Sequence, residues 1–308
     1  MTGATRKIIA DLHTHSTASD GKCSPTEVVR LAKTKGYKAV ALTDHDTLSG
    51  LEEAGNAARD FEITIVPGIE ISVSYKRSWF TGSLHVLLYF PQEYIINPDF
   101  VRDIEDILAG GRGYKLLSNR IIAINSLFGT QGSIKRVLKH ELKADEIGGP
   151  AEAVTQRHFA LALKQQHDLD DVTITTIITN TSPAYIPYGI ELACLKPLLD
   201  KYHIVTALAH PAAGSFPGPG QYREVLPPFE TVVQLLPELI ELGIGGLEVY
   251  YPGHTSALIS QLRSIADNNK LLVTGGSDFH DLKTRPMGTA GVTEEELDTL
   301  LGRIGKNT

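Results

Sequence analysis

Ile8-Ile9-Ala10-Asp11-Leu12-His13-Thr14-His15-Ser16-Thr17-Ala18-Ser19-Asp20 is the stretch from which the rest of the chain is read. Its apolar start, Ile8-Ile9-Ala10, has the character of a short buried strand, and a His-x-His pair follows at once. In an extended chain, residues two apart point to the same face, about 7 Å apart. His13 and His15 so placed can grip one metal ion. Alone, the pair is a weak signal. It gains force because the same arrangement, a strand followed by a ligand-type residue, recurs along the chain.

Tyr37 to Thr43 is a second such strand, ending in Asp44-His45-Asp46. Glu62 to Val66 is a third, and Pro67-Gly68-Ile69-Glu70 delivers Glu70 after it. Ser83 to Phe90 carries His85. His203 to Ala209 ends in His210-Pro211, and Lys270 to Thr274 ends in Gly275-Gly276-Ser277-Asp278-Phe279-His280. Helical stretches alternate with these strands. The first opens at Ser24-Pro25-Thr26-Glu27, with Ser24 as the cap, Pro25 at the first position and Glu27 three residues after the cap. Such alternation means βαβ units and a parallel sheet. About seven units predict an α/β fold closed as a (β/α)7 barrel, with the site at the C-terminal ends of the strands. His13, His15, His45, Glu70, His210, Asp278 and His280 take that position. Six of the eleven histidines fall at or near strand ends. Imidazole and carboxylate are costly to bury unpaired, and together they are a metal-ligand set.

Residues 98–190 have another character. Helical periodicity runs through 99–109, 112–127, 131–142, 150–167 and 170–178, punctuated by glycines. The strand-and-ligand rhythm resumes afterwards, so 98–190 is expected to be a helical insertion in a barrel made of 1–97 and 191–308. At 42 % hydrophobic and 21 % charged, the 308 residues suit an ordinary globular protein. No apolar run approaches the roughly 20 residues of a membrane span, and the start lacks the apolar region of a signal peptide. Two cysteines, Cys23 and Cys194, cannot staple such a chain, so a cytoplasmic location with reduced thiols is expected. The net charge of −7 argues against long nucleic acid as a partner. A small phosphorylated ligand stays compatible, because bound divalent cations invert the local charge.

Asp11-Leu12-His13-Thr14-His15, Ser19-Asp20-Gly21, Leu42-Thr43-Asp44-His45-Asp46, Pro67-Gly68-Ile69-Glu70, Ala209-His210-Pro211 and Ser277-Asp278-Phe279-His280 resemble, in order, the motifs of the PHP (polymerase and histidinol phosphatase) family. The resemblance implies a distorted seven-stranded barrel, three divalent ions (manganese, iron or zinc) and phosphoester hydrolysis. It would place His13, His15, Glu70 and Asp278 on the first ion. Glu70 would bridge to a second ion held by His85 and His210, and Asp20, His45 and His280 would hold the third. Asp11 and Asp44 are expected to orient the histidines from behind.

Within the family, the insert and its trailing Ser182-Pro183-Ala184-Tyr185-Ile186-Pro187 resemble the stand-alone nucleotide phosphoesterases. That branch implies a substrate such as AMP or a nucleoside 3′,5′-bisphosphate, attacked in line by a hydroxide bridging two ions. Its usual insert motif, Gly-Arg-Pro-His, corresponds here to Thr155-Gln156-Arg157-His158. The arginine is displaced by one position, about 100° around a helix. Arg157, His158, Arg120 and Arg112 are the insert's candidates for contacting substrate, with His158 also a candidate for protonating the leaving group. His254 is a candidate for lining the pocket, whereas His140, His167 and His203 have the character of surface or structural residues. The rival expectations are histidinol phosphate as substrate, 5′→3′ trimming of short RNA, and a metal- or nucleotide-binding module without turnover.

Overall fold

The computed structural model describes residues 6–77, 79–148, 156–179, 181–215 and 226–305. Its strands are β1 (Ala10–Asp11), β2 (Ala39–Leu42), β3 (Thr64–Arg77), β4 (Phe80–Tyr89), β5 (Ile190–Glu191), β6 (Val205–Leu208), β7 (Gly246–Tyr250) and β8 (Leu272–Gly275). They form one sheet in the order β1-β2-β3-β4-β6-β7-β8, with β5 paired to β3. The β1–β2, β2–β3, β6–β7 and β7–β8 pairs are parallel, as expected of βαβ units. The β4 strand runs against both of its neighbours, which corrects the expectation of a wholly parallel sheet. The physical reason is the connection between Arg77 and Phe80, which are register partners. A link that short can only turn back, since a parallel crossover needs a dozen residues or so.

The two ends of the strand path meet. Leu12 N–H donates to the Gly275 carbonyl at 3.2 Å, and Thr14 and Phe279 form a parallel bridge. Side chains of alternate parity divide the interior accordingly. Val40, Leu42, Val86, Leu88 and Leu208 pack outward against the surrounding helices. Ala39, Ala41, Leu87, Tyr89, Ala207 and Leu272 pack inward in a second cluster, which takes in strands from both ends of the path. Only a sheet curled on itself brings those together. Small alanines on the inner face leave room for the larger Tyr89. One end is plugged by α11 (Glu294–Ile304) through Leu297, Leu300 and Ile304. The opposite end, where the parallel strands finish, carries the ligand-type residues.

The helices are α1 (Pro25–Thr34), α2 (Leu51–Asp60), α3 (Pro98–Leu108), α4 (Gly113–Phe128), α5 (Ala144–Ile147), α6 (Gln156–His167), α7 (Asp171–Ile178), α8 (Lys196–Lys201), α9 (Phe229–Glu241), α10 (Ser256–Asn269) and α11. The capping box expected at Ser24 and Glu27 forms at the start of α1. In the insert, α3 gives Phe100, Ile104 and Leu108 to the core around the sheet. Residues from Leu117 to Ala184 build an apolar cluster of their own.

Two expected helices are corrected. Segment 131–142 has no helix. Its backbone N–H groups turn back onto the end of α4, Ser133 to Ser126 O at 3.0 Å and Val137 to Phe128 O at 3.1 Å. The Asn125 side chain brackets Leu142, accepting from its N–H and donating to its carbonyl. The stretch 191–202, for which the sequence predicts one continuous helix, is helical only over α8, because β5 and a short 3₁₀ turn take up its first part.

Candidate metal centre

At the middle of the site is Glu70, fully buried. It projects from inside β3, which runs on seven residues past it, and not from the strand end expected from the sequence. Five imidazoles surround its carboxylate. Glu70 Oε2 lies 3.2 Å from His13 Nε2, 3.2 Å from His15 Nε2 and 3.0 Å from His45 Nδ1. Its Oε1 lies 3.1 Å from His85 Nδ1 and 3.0 Å from His210 Nε2. Asp278 Oδ1 approaches His15 Nε2 at 3.1 Å and His13 Nε2 at 3.5 Å. Asp20 Oδ1 lies 3.3 Å from His280 Nε2 and 3.8 Å from His15 Nδ1.

Nine expected ligands are thus gathered in one place, and their donor atoms group in overlapping sets. His13, His15, Glu70 and Asp278 each offer an atom within 4.8 Å of the others, and so do His15, Asp20, His45 and His280, and again His45, Glu70 and His85. The test of fit lies in the atoms left over. His15 Nδ1, His45 Nδ1, His85 Nδ1 and Glu70 Oε2 are buried and make no hydrogen bond. They approach one another without aiming at one another. Buried polar atoms without partners are costly, whereas donors converging on a shared point are what divalent ions require.

Protonation supports the same reading. Burial opposes charge on His13, yet Glu70, Glu248 and Asp278 overcome it and raise the imidazole well above its usual value. Burial is likewise outweighed at His45, which Glu70 and neighbouring aspartates push up to about 9. His85 goes the other way: burial depresses it, helped by His45 and His210. Burial would raise Glu70, but His13, His45 and His85 hold it well below the ordinary carboxylate range. Negative charge collected here thus attracts protons, which a bound cation replaces.

Several positioning residues escaped the sequence reading. Glu248, fully buried on β7, lies 3.0 Å from His13 Nδ1 and accepts from the His210 backbone N–H at 2.7 Å. With its Nδ1–H donating to Glu248, His13 turns the lone pair of Nε2 to the centre. Tyr251 and Arg285 both donate to Asp278 Oδ2, at 2.9 and 2.7 Å. Asp11 and Asp44 hold backbone and hydroxyl groups rather than imidazole rings, and Asp11 reaches a histidine through the His13 backbone N–H, at 3.3 Å. Asp11 accepts from the Ser277 N–H at 2.9 Å, and Asp44 from the Ser16 N–H and hydroxyl, both at 2.7 Å. These bonds lock strained loops. Asp46, His210 and Asp278 have φ of 49°, 29° and 51°, left-handed values that cost side-chain-bearing residues about 1–3 kcal/mol each.

Gly276 marks how tightly the loop after β8 is laid against the first strand. A Cβ there would stand 2.3 Å from His13 Cβ and 2.4 Å from His13 N. Gly276→Ala is therefore expected to lose about 3 kcal/mol of stability through overpacking. The check is a lower urea midpoint at unchanged slope. An unchanged midpoint would mean that the contact relaxes freely.

The other candidates are spread more widely. Arg112 donates to the Asp46 carbonyl, and its Nη2 lies 3.7 Å from Asp46 Oδ2, so it ties the insert to the loop after His45. Beside it a pocket of about 420 Å³ is lined by Leu48, Ile104, Arg112, Tyr114 and Lys115. Arg120 is buried within the insert and donates to the Ile186 carbonyl at 2.9 Å. His254 is buried, with Nδ1 2.9 Å from the Val249 carbonyl. His158 is half-buried on α6. Arg157 is in that helix, but its side chain lies outside the described residues.

A carboxylate ringed by imidazoles at the mouth of a curled α/β sheet has the donor set that could hold metal ions. The PHP domain family matches residues 11–217, and the chain belongs to that family. It is a metal-dependent phosphoesterase. A 3′,5′-nucleoside bisphosphate phosphatase of Chromobacterium violaceum is 28 % identical over 284 residues, 88 % of this chain and 86 % of that protein. A phosphoribosyl 1,2-cyclic phosphate 1,2-diphosphodiesterase of Eggerthella lenta is 26 % identical over 282 residues, 89 % of this chain and 94 % of that protein. A solved structure from Bifidobacterium adolescentis, described as a metal-dependent phosphoesterase, matches with a TM-score of 0.63 at 22 % identity, covering 97 % of each chain. That last likeness is one of fold. Among the described residues, no helix is long and apolar enough to cross a membrane.

Proposed function

We propose that this chain hydrolyses phosphate monoesters of small nucleotides, with AMP or a nucleoside 3′,5′-bisphosphate as the substrate class. The observation that carries the reading is the ring of five imidazoles around Glu70, completed by Asp278 on one side and by Asp20 with His280 on the other. His13, His15, Glu70 and Asp278 would hold one ion, His85 and His210 with Glu70 a second, and Asp20, His45 and His280 a third. Bound there, divalent ions supply charge neutralisation for phosphate oxygens and a water of lowered pKa.

The residues themselves set the direction of approach. His13, His15 and Glu70 have no exposed side-chain surface, whereas Asp20 is 57 % exposed and His45 25 %. A phosphate therefore comes in over Asp20, His45 and His280. The remainder of the substrate extends over the insert, where Arg112 and the pocket beside it lie against Asp46, the residue after His45. Both full-length relatives are named for phosphorylated ribose compounds, which supports a nucleotide over histidinol phosphate.

Phosphate release by the manganese-loaded protein tests the reading. The panel is AMP, 3′,5′-bisphosphoadenosine, histidinol phosphate, phosphoribosyl 1,2-cyclic phosphate and a 5′-phosphorylated trinucleotide. A preference for either mononucleotide by at least about tenfold in kcat/KM, roughly 1.4 kcal/mol of transition-state discrimination, is the expected result. Preference for any of the other three compounds replaces the proposed substrate class. No release from any of them, with metal bound, overturns it.

A further inference from the structure

We propose that His140, Glu146 and His167 form a second binding site, for one divalent transition metal of zinc's ligand class, that fastens segment 131–143 onto α6. The site is separate from the centre around Glu70, and nothing in its argument depends on the substrate.

One donor atom from each of the three side chains lies within 4.8 Å of the other two. His140 Nε2 and Glu146 Oε1 are 3.5 Å apart, close to the roughly 3.4 Å between neighbouring ligands of a tetrahedral zinc ion. The two imidazole rings stand 4.5 Å apart between centroids, inclined at 46°. The far atoms of two ligands are already held. His140 Nδ1 lies 3.2 Å from the Glu141 carbonyl, so its proton goes there and Nε2 keeps its lone pair. Glu146 Oε2 accepts from the Lys143 N–H at 2.7 Å, which leaves Oε1 to face His140. Ligands are oriented in this way, by hydrogen bonds from behind, in protein metal sites generally.

The independent observation is His167. Its side chain is buried, at 2 % exposure, and its Nε2 makes no hydrogen bond. A pair between His140 and Glu146 would account for two of the three residues and would leave this atom unexplained. The His167 ring must be neutral to serve as a ligand. Its Nδ1 accepts from the Lys139 N–H at 3.2 Å. Ligation at Nε2 therefore moves the ring's single proton to Nδ1 and gives up that long bond. In exchange, a segment without helix or strand gains an anchor at the end of α6. Two imidazoles and one carboxylate suit zinc better than magnesium or calcium.

The test is zinc content after dialysis against zinc, compared between the wild type, His140→Ala and Glu146→Gln. His140 is about half exposed, at 47 %, so its removal spares the core. In Glu146→Gln the side-chain carbonyl can still accept from the Lys143 N–H. Each variant is expected to bind one zinc fewer per chain, with the rate of phosphate release unchanged. The zinc-dependent rise in melting temperature should shrink in both. Cobalt(II) should give visible absorption bands in the wild type that weaken in both variants. Equal zinc content in all three proteins overturns the site.

Discussion

Glu70→Ala is expected to abolish turnover, by on the order of 10³-fold or more, since a single preorganised charge at a reacting centre is commonly worth that much. The reason is geometric. One carboxylate stands within 3.2 Å of His13, His15, His45, His85 and His210. Without it, five imidazoles face one another with no shared anion. Burial already opposes charge on His13 and His45, and Glu70 is the largest influence raising them. Its loss lets both fall. The variant should also bind fewer divalent ions per chain, measured by elemental analysis after dialysis, because both oxygens of Glu70 face histidines proposed as ligands. Glu70→Gln separates shape from charge: it fills the same space, and a loss as large as that of alanine identifies the charge as the cause. An alanine variant that keeps full metal content and full activity would remove Glu70 from the centre.

The sequence made this centre legible to an unequal degree. His13, His15, His45 and His210 were visible because short apolar strands end in them, and polar residues after strands have few structural reasons to cluster. Glu70 was found although the strand-end rule that found it does not describe it, and His85, read inside its strand, came only from the family resemblance. Both project from inside long strands, because the β3–β4 hairpin carries on past the metal centre. Glu248 had a signal that went unused, a lone acid in the apolar run Gly-Leu-Glu-Val-Tyr. Such a group cannot be buried without partners, and it has two. Arg285 and Tyr251 had no local signal, since their shared partner Asp278 is reached only when loops seven and 27 positions apart fold together. In the insert, Ile134, Val137, Leu138 and Leu142 fall at helical spacing, but Gly132 and the Asn125 amide decide otherwise. There Leu138 and Leu142 are buried, whereas Ile134 is exposed. Apolar periodicity reports burial on one face and not the backbone that achieves it.

Glu248→Ala is expected to be damaging by a different route, through stability and metal affinity. Glu248 is fully buried and touches no other residue of the metal centre than His13 and His210 among its described hydrogen bonds. Removing it leaves the His13 Nδ1–H and the His210 backbone N–H without acceptors in a closed interior. At about 1–3 kcal/mol for each unsatisfied donor, the loss of stability from the two is roughly 2–6 kcal/mol. His210 adds to this, because its left-handed φ of 29° is held partly by that same bond. Metal affinity should fall about 10–100-fold, the usual effect of removing a group that orients a ligand. The signature of a positioning role is rescue. Saturating metal should restore most of kcat, with KM for substrate unchanged, which is not expected of Glu70→Ala. Glu248→Gln should fall between, since its one carbonyl oxygen can serve His13 or His210 but not both. If metal affinity and melting temperature are unchanged in Glu248→Ala, then His13 is oriented by its packing against Gly276, and the carboxylate behind it is dispensable.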